Sequence, residues 1–326
     1  MTETEPDLRR QAQDTQTAPE ILRALAAQNQ ELAIKVAANP STPPDLLRQL
    51  GQSNDFEIRR HAAGNPALPV DILVVLAEDN SDPPKKWSRE EDDVTIQEIA
   101  AANPSLPQEI LETLATKVPL DVARNPNASA QLLGQLARNR SVRSSVARHP
   151  NTPERLLAQL AGDKDGFVRR TVARRKDLPS SLIRELTNDK HPAIRASIAA
   201  RQDLPIDLLT RLAQDPAASV RRHIAANPLT PVSLLVALAQ DPHSRVYQEV
   251  ARNPNTPQKV LFELAQGAER KTQIALARNP QAPLAILESL AGSPDRYVRK
   301  CVADNPKASA SVKKQAMALR EINRDE

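Results

Sequence analysis

The stretch from Asn227 to Arg252 reads NPLTPVSLLVALAQDPHSRVYQEVAR and decides the fold. It contains two sets of apolar residues at helical spacing, and each set predicts the buried face of one short helix. The sets are Leu234, Leu235, Leu238 and Ala239, followed by Val246, Val250 and Ala251. Between them we expect Asp241 to cap the second helix and Pro242 to lie in its first turn. No residues alternate with period 2, so we expect a helix pair and no strand.

This pattern recurs along the chain, mostly at a spacing of 26 residues. The Asn-Pro dipeptide marks eight of the repeats, and three others keep the register with a basic residue at the same position, which we call the anchor. The anchors are Asn39, Asn65, Asn103, Asn125, His149, Arg175, Arg201, Asn227, Asn253, Asn279 and Asn305. Short helices bury little surface alone, so stacked repeats are expected to bury their apolar faces against each other. The sequence therefore predicts an all-α solenoid of about twelve two-helix repeats.

Two columns of the repeat support close stacking. The residue two before each anchor is alanine in all eleven cases: Ala37, Ala63, Ala101, Ala123, Ala147, Ala173, Ala199, Ala225, Ala251, Ala277 and Ala303. A second column is leucine: Leu25, Leu50, Leu76, Leu114, Leu136, Leu160, Leu186, Leu212, Leu238, Leu264 and Leu290. A position that admits only alanine indicates that backbones lie too close for a larger side chain.

The array is expected to cover residues 14–318, between a polar N-terminal segment, 1–13, and a polar C-terminal tail, 319–326. The third repeat carries an insertion at about residues 80–91, which contains Trp87, the only tryptophan. Insertions in repeat arrays map to loops and often to a binding face. We interpret Trp87 either as a ring folded against its own repeat or as a partner contact.

Composition argues against several classes of protein. Of 326 residues only 2% are aromatic, and the single Cys301 excludes an internal disulfide or a four-cysteine metal site. The five histidines lie in different repeats, so we expect no catalytic, cofactor-binding or metal site and no enzyme. No apolar run reaches the ~18 residues of a membrane span, and we expect a soluble, cytoplasmic protein with no membrane partner.

The repeated unit Val-Arg-x-x-Val-Ala-x-Asn-Pro-x-Thr-Pro-x-x-Leu-Leu-x-x-Leu-Ala resembles the leucine-rich repeat variant family from about Asp14 to Ala318. The resemblance implies a right-handed superhelix of alternating short helices, one of which can be a 3-10 helix. A family member also carries an N-terminal cysteine cluster for an iron–sulfur centre. Residues 1–20 contain no cysteine here, so that function does not carry over. A six-residue Asp-to-Arg spacing, as in Asp215 and Arg221, is similar to the ladder of HEAT repeats.

These features suggest structural roles for two polar columns. We interpret the anchor asparagines as backbone-binding turn residues and not as ligand donors. The arginine column, Arg59, Arg143, Arg169, Arg195, Arg221 and Arg299, is expected to pair with the aspartate six residues earlier, in the same repeat or in the next.

A basic edge in the middle of the array is the sharpest sign of function. Between Asn139 and Arg222 there are 17 Lys or Arg against 9 Asp or Glu. The candidate partner-binding residues are Arg148, His149, Arg174, Arg175 and Arg201, together with Trp87. They mark either a solvated edge or a docking surface for an acidic partner. The sequence thus predicts a non-enzymatic scaffold that binds another protein through a concave face and this edge, with nucleic-acid backbone binding as the alternative.

Overall fold

The computed structural model describes residues 4–81 and 94–318, so Trp87 and most of the predicted insertion lie outside the described residues. Within those ranges all regular structure is helical and no strand is present. One 3-10 turn, Arg140–Val142, precedes the eleventh helix, and the other helices are α-helices. The predicted all-α repeat fold is confirmed.

The α-helices are α1 Glu5–Gln13, α2 Pro19–Ala26, α3 Gln30–Ala38, α4 Pro44–Gly51, α5 Phe56–Ala63, α6 Val70–Ala77, α7 Ile96–Ala102, α8 Gln108–Leu114, α9 Pro119–Val122, α10 Ala130–Leu136, α11 Arg143–Arg148, α12 Glu154–Ala161, α13 Gly166–Ala173, α14 Ser180–Leu186, α15 Pro192–Ala199, α16 Ile206–Ala213, α17 Ala218–Ala226, α18 Val232–Leu238, α19 Ser244–Arg252, α20 Gln258–Ala265, α21 Arg270–Arg278, α22 Leu284–Ala291, α23 Arg296–Ala303 and α24 Ala310–Ala318.

The chain forms two compact units, an N-terminal unit up to Leu160 and a C-terminal unit from Ala161 onwards. Each unit is a stack of helix pairs. The even-numbered helices carry the leucine column, and the odd-numbered helices end beside the anchor. Consecutive odd-numbered helices pack against one another, as α3 does on α5 and α17 on α19.

Proline separates the helices of neighbouring repeats. Pro231, for example, is the N-cap of α18, and its carbonyl accepts from the Leu235 amide at 3.1 Å. Its ring fixes φ and removes the amide that a helix continuing from α17 would need. The same residue type caps most even-numbered helices, which explains why the helices stay short.

The predicted start of the second helix is wrong by two residues. The helix α19 begins at Ser244 and is capped by His243, whose Nδ1 accepts from the Arg245 amide at 3.4 Å. Asp241 does not cap it. Its carboxylate accepts from the His243 amide at 2.9 Å and from Arg221 of the preceding repeat at 2.6 Å. The aspartate is therefore used to join repeats.

The two apolar columns form the core of both units. Every alanine of the alanine column is buried, and so is every leucine of the leucine column except the partly buried Leu264. This confirms that consecutive repeats approach closely at the alanines.

Helices also occur at both ends of the array. The segment 1–13 contains α1, whose Ala12 is fully buried and accepts a hydrogen bond from Asn39 at 2.9 Å. At the other end, Val312 and Ala316 of α24 are buried, while the opposite side of that helix is polar. In the described part of the chain no helix is long and apolar enough to cross a membrane.

Candidate functional site

The anchor asparagines join consecutive repeats through the backbone. The Nδ2 of Asn253 donates to the carbonyls of Ala225 and Asn227, at 2.8 and 2.9 Å, and both belong to the preceding repeat. Its Oδ1 accepts from the Asn255 amide at 2.9 Å, which closes the turn. Asn65, Asn103, Asn125, Asn279 and Asn305 repeat this arrangement. The structural interpretation of the asparagine column is confirmed.

At one anchor position His149 stands in place of asparagine and makes the same two kinds of hydrogen bond. It lies in the N-terminal unit and is 4% exposed. Its Nε2 lies 2.8 Å from the Asn125 carbonyl, and its Nδ1 accepts from the Asn151 amide at 3.1 Å. Arg148, beside it, is exposed. Of this predicted pair, Arg148 is the residue that a partner can reach.

In the C-terminal unit, the anchor Arg201 also binds backbone. Arg201 donates to the carbonyls of Arg175 and Lys176 in the preceding repeat. The Arg201 carbonyl in turn accepts from Asn227 at 2.7 Å. Arg201 therefore continues the line of inter-repeat hydrogen bonds that asparagine makes elsewhere.

Each arginine anchor has an aspartate two residues later that neutralises it. Arg175 binds Asp177 through Nε and Nη2, at 3.0 and 2.6 Å, and Arg201 binds Asp203 at 2.8 and 2.7 Å. The hydrogen bond from its arginine is the largest influence on each carboxyl and lowers the pKa of Asp177 and of Asp203.

Sequence reasoning missed both aspartates, although a signal was present. Among the eleven repeats, an acidic residue follows the anchor by two positions only at Arg175 and Arg201. The reason is chemical: arginine has no acceptor for the turn, so a carboxylate at that position takes over.

The arginine anchors border a groove of about 510 Å³. Its lining comes from the ends of α13 and α15 and the turns that follow them: Ala173, Arg174, Arg175, Lys176, Ser197, Ala200, Arg201, Gln202 and Asp203. We call it the basic groove. Arg175 is 8% exposed, whereas Arg174 and Lys176 are exposed at the surface. The structure thus brings together Arg174, Arg175 and Arg201 of the predicted site.

The arginine ladder pairs each arginine with the following repeat. The Nε atoms of Arg169, Arg195 and Arg221 each lie 2.6 Å from an aspartate twenty residues later: Asp189, Asp215 and Asp241. The aspartate six residues earlier contributes its backbone carbonyl, at 2.7 Å from Nη1 of Arg195 and of Arg221. The sequence allowed each arginine to pair either within its own repeat or with the next one, and in the structure it pairs with the next repeat.

These pairs hold their aspartates in the charged form. Burial, the largest influence, raises the pKa of Asp241, but the hydrogen bonds from Arg221 and the His243 amide outweigh it and leave the pKa below its ordinary value. Asp189 and Asp215 behave in the same way. Across residues 4–81 and 94–318, no group of three or more His, Cys, Asp or Glu is arranged to hold a metal ion.

Comparison with known families gives a match in two stretches. Residues 6–66 and 119–176 match the model of the leucine-rich repeat variant domain. These two stretches are therefore similar to leucine-rich repeat variant repeats. Both matched stretches have the anchor turns and alanine column described above, and the second includes His149 and Arg175 of the predicted site. No curated protein sequence matches the chain.

The solved structures that are similar to this chain share low sequence identity with it. One, described as a leucine-rich repeat variant with a novel repetitive structural motif, is 21% identical, covers 64% of this chain and 85% of its own, and has a TM-score of 0.45. An engineered protein is 18% identical over 97% and 98% of the two chains, with a TM-score of 0.32. A chain from the Pds5–Scc1 complex is 14% identical over 97% of this chain and 58% of its own, with a TM-score of 0.32.

Proposed function

We propose that this protein is a non-enzymatic, cytoplasmic repeat scaffold that binds an acidic segment of another protein in the basic groove. The observation that carries the proposal is the groove itself, where cations from consecutive repeats border a cavity of about 510 Å³. That volume falls within the usual range for ligand sites of roughly 300–1,000 Å³.

The charges in the groove have two distinct roles. Arg175 and Arg201 are held by Asp177 and Asp203, so they shape the groove and their charge is largely balanced. Arg174 and Lys176 are exposed, and no ion pair involving either is found among the described residues. These two side chains are therefore the ones expected to bind carboxylates of a partner.

The same aspartates favour a peptide over a nucleic acid. The side chains of Asp177 and Asp203 remain 63% and 57% exposed, so a phosphate backbone that reached the arginines would meet two carboxylates. A polypeptide can place its own amide or hydroxyl donors against Asp203 and its carboxylates against Arg174 and Lys176. Binding of a nucleic-acid backbone is the competing outcome of the test.

The test uses the full chain and a defined probe, a labelled peptide that alternates Glu or Asp with Leu. We expect saturable binding that weakens about tenfold or more in Arg174→Glu with Lys176→Glu. This variant leaves both arginine anchors intact. The matched control, Lys190→Glu with Arg211→Glu, changes the net charge equally at other exposed positions of the C-terminal unit and should bind like the parent.

Two results would overturn the proposal. Equal weakening in both double variants would show that net charge matters and the groove does not. Tight binding of duplex DNA that falls steeply with salt, at a log–log slope near −0.9 per phosphate contact, would instead favour the nucleic-acid alternative.

A further inference from the structure

A second pocket lies in the C-terminal unit directly after the ladder pair of Arg221 with Asp241. On the repeat spacing, the arginine after Arg221 and the aspartate after Asp241 would be residues 247 and 267, but these are Tyr247 and Gly267. Both members of the pair that joins the three preceding repeats are therefore replaced here, and one repeat later the same two positions hold Gln273 and Ser293.

The space of the missing pair is open. A pocket of about 380 Å³ lies there, lined by Ala239, Gln240, Asp241, Tyr247, Glu263, Leu264, Gln266, Gly267, Ala268, Glu269 and Thr272. We call it the ladder-gap pocket. Gly267 has φ of +67°, in the left-handed region, and a Cβ added there would meet no atom within 4 Å. The loop between α20 and α21 thus leaves room where the three preceding repeats bring an aspartate, Asp189, Asp215 and Asp241.

A buried polar residue in this pocket has no internal partner. Thr272 is 2% exposed, and its Oγ1 has no hydrogen-bond partner among the residues described. The corresponding residue, seven before the anchor, is apolar in the other ten repeats: Leu32, Ile58, Ile96, Val118, Val142, Val168, Ile194, Val220, Val246 and Val298. A hydroxyl buried without a partner costs stability. Thr272 is thus the one polar residue of this column, and it lines the ladder-gap pocket.

The pocket is lined with groups that suit a cation. Glu263 and Glu269 lie at its rim with exposed side chains, and no ion pair of either is found within the described ranges. Tyr247 adds a half-buried ring, whose face attracts cations. Tyr247 also has no guanidinium to donate to the Asp241 carbonyl, as Arg221 donates to that of Asp215 one repeat earlier.

We infer that the ladder-gap pocket binds a guanidinium group supplied by another molecule, in the place that an arginine of the ladder occupies elsewhere. A guanidinium suits this site better than an ammonium, because it is planar, weakly hydrated and able to stack on an aromatic ring while it donates to carboxylates. The inference is independent of the basic groove, which takes the opposite charge. The guanidinium can belong to a partner's arginine or to a free small molecule.

Binding is measured with the full chain and N-acetyl-arginine amide. The matched probe is N-acetyl-citrulline amide, which has nearly the same shape and no charge. We expect saturable binding of the arginine probe and at least about tenfold weaker binding of the citrulline probe. Equal binding of the two, or no saturable binding of the arginine probe, would overturn the inference.

Two variants locate the site. Tyr247→Arg should fill the pocket from within, as Arg221 does one repeat earlier, and abolish binding. Glu263→Gln with Glu269→Gln should weaken it about tenfold, whereas Glu185→Gln with Glu288→Gln, which removes two exposed carboxylates outside the pocket, should not. The glutamate variants keep the test decisive if Tyr247→Arg does not fold. Unchanged binding in the folded pocket variants would overturn the assignment.

A pentapeptide with one central arginine identifies the source of the group. Tighter binding of this peptide than of the arginine amide would identify a partner polypeptide, whereas equal affinity would identify a free guanidinium compound. Either result supports the pocket.

Discussion

At the scale of single residues, the anchor makes two kinds of hydrogen bond that few side chains can combine. It must accept from the amide two residues later and donate to carbonyls of the preceding repeat. Asparagine does both with one planar amide. Histidine does so at His149 with two ring nitrogens, and Arg201 donates to the preceding carbonyls while Asp203 balances its charge.

Replacing one anchor should therefore be costly. We expect Asn253→Ala to destabilise the protein by about 2–4 kcal/mol, because it leaves the buried Ala225 and Asn227 carbonyls and the Asn255 amide without their partner. The free energy of unfolding in urea measures the effect. The control is Asn188→Ala, an exposed side chain that donates to the Arg184 carbonyl of the helix just before it and should change stability by less than about 0.5 kcal/mol. Similar losses in the two variants would contradict the anchor role.

At the scale of helices, the odd-numbered helices form the closely packed side of each unit. Ala225 of α17 is fully buried, and its carbonyl accepts from Asn253 of the next repeat. The alanine column thus carries two constraints at once. Its methyl group limits how near the next repeat lies, and its carbonyl has to remain accessible to the next anchor.

A larger side chain at this position should overpack the stack. We expect Ala225→Leu to cost about 1–3 kcal/mol, because the extra carbons push the next repeat away and lengthen the bonds from Asn253. Thermal or urea unfolding measures it. Ala226→Leu is the matched control, since Ala226 is the exposed next residue of the same helix. An unfolding midpoint of Ala225→Leu equal to that of the parent would show that the alanine column can accommodate a larger side chain.

At the scale of the whole molecule, stability is expected to be a sum of contacts between neighbouring repeats. The arginine ladder contributes to this sum in both units, through Arg59 with Asp79 in one and three consecutive pairs in the other. The aspartates of those three pairs, Asp189, Asp215 and Asp241, have nearly buried side chains. They lose this favourable interaction when they are protonated.

The ladder predicts a specific loss of stability in acid. The folded-state pKa values of these aspartates are lowered, so their contribution is fully present above the unfolded pKa of about 3.9 and is lost as the pH falls through the folded values. We expect the free energy of unfolding to fall below about pH 4. The triple variant Asp189→Asn, Asp215→Asn and Asp241→Asn should be less stable at pH 7 and should lose less on acidification. Parallel pH profiles for the parent and the variant would contradict this.

The sequence by itself determined the helix pairs, the repeat register and the buried columns. These follow from local spacing: leucines at helical intervals, prolines that end helices, and an alanine at a constant distance from each anchor. Because the pattern occurs eleven times, an unusual residue in one repeat does not obscure the register. Even the role of the asparagines follows, because an amide in a tight turn has few other partners.

Only the tertiary structure decided which groups meet across repeats. Spacing left open whether Arg221 pairs within its repeat or with the next one, and stacking brings Asp241 to it. The basic anchors at positions 149, 175 and 201 resemble a surface patch in the sequence, yet stacking turns the side chains of His149 and Arg201 onto the preceding backbone, Arg175 is buried, and Arg174 and Lys176 stay exposed. The ladder-gap pocket, too, depends on residues 247, 267 and 272 coming together. The physical reason is that the relative position of two helices determines which side chains meet. The spacing of residues within one repeat does not specify that position.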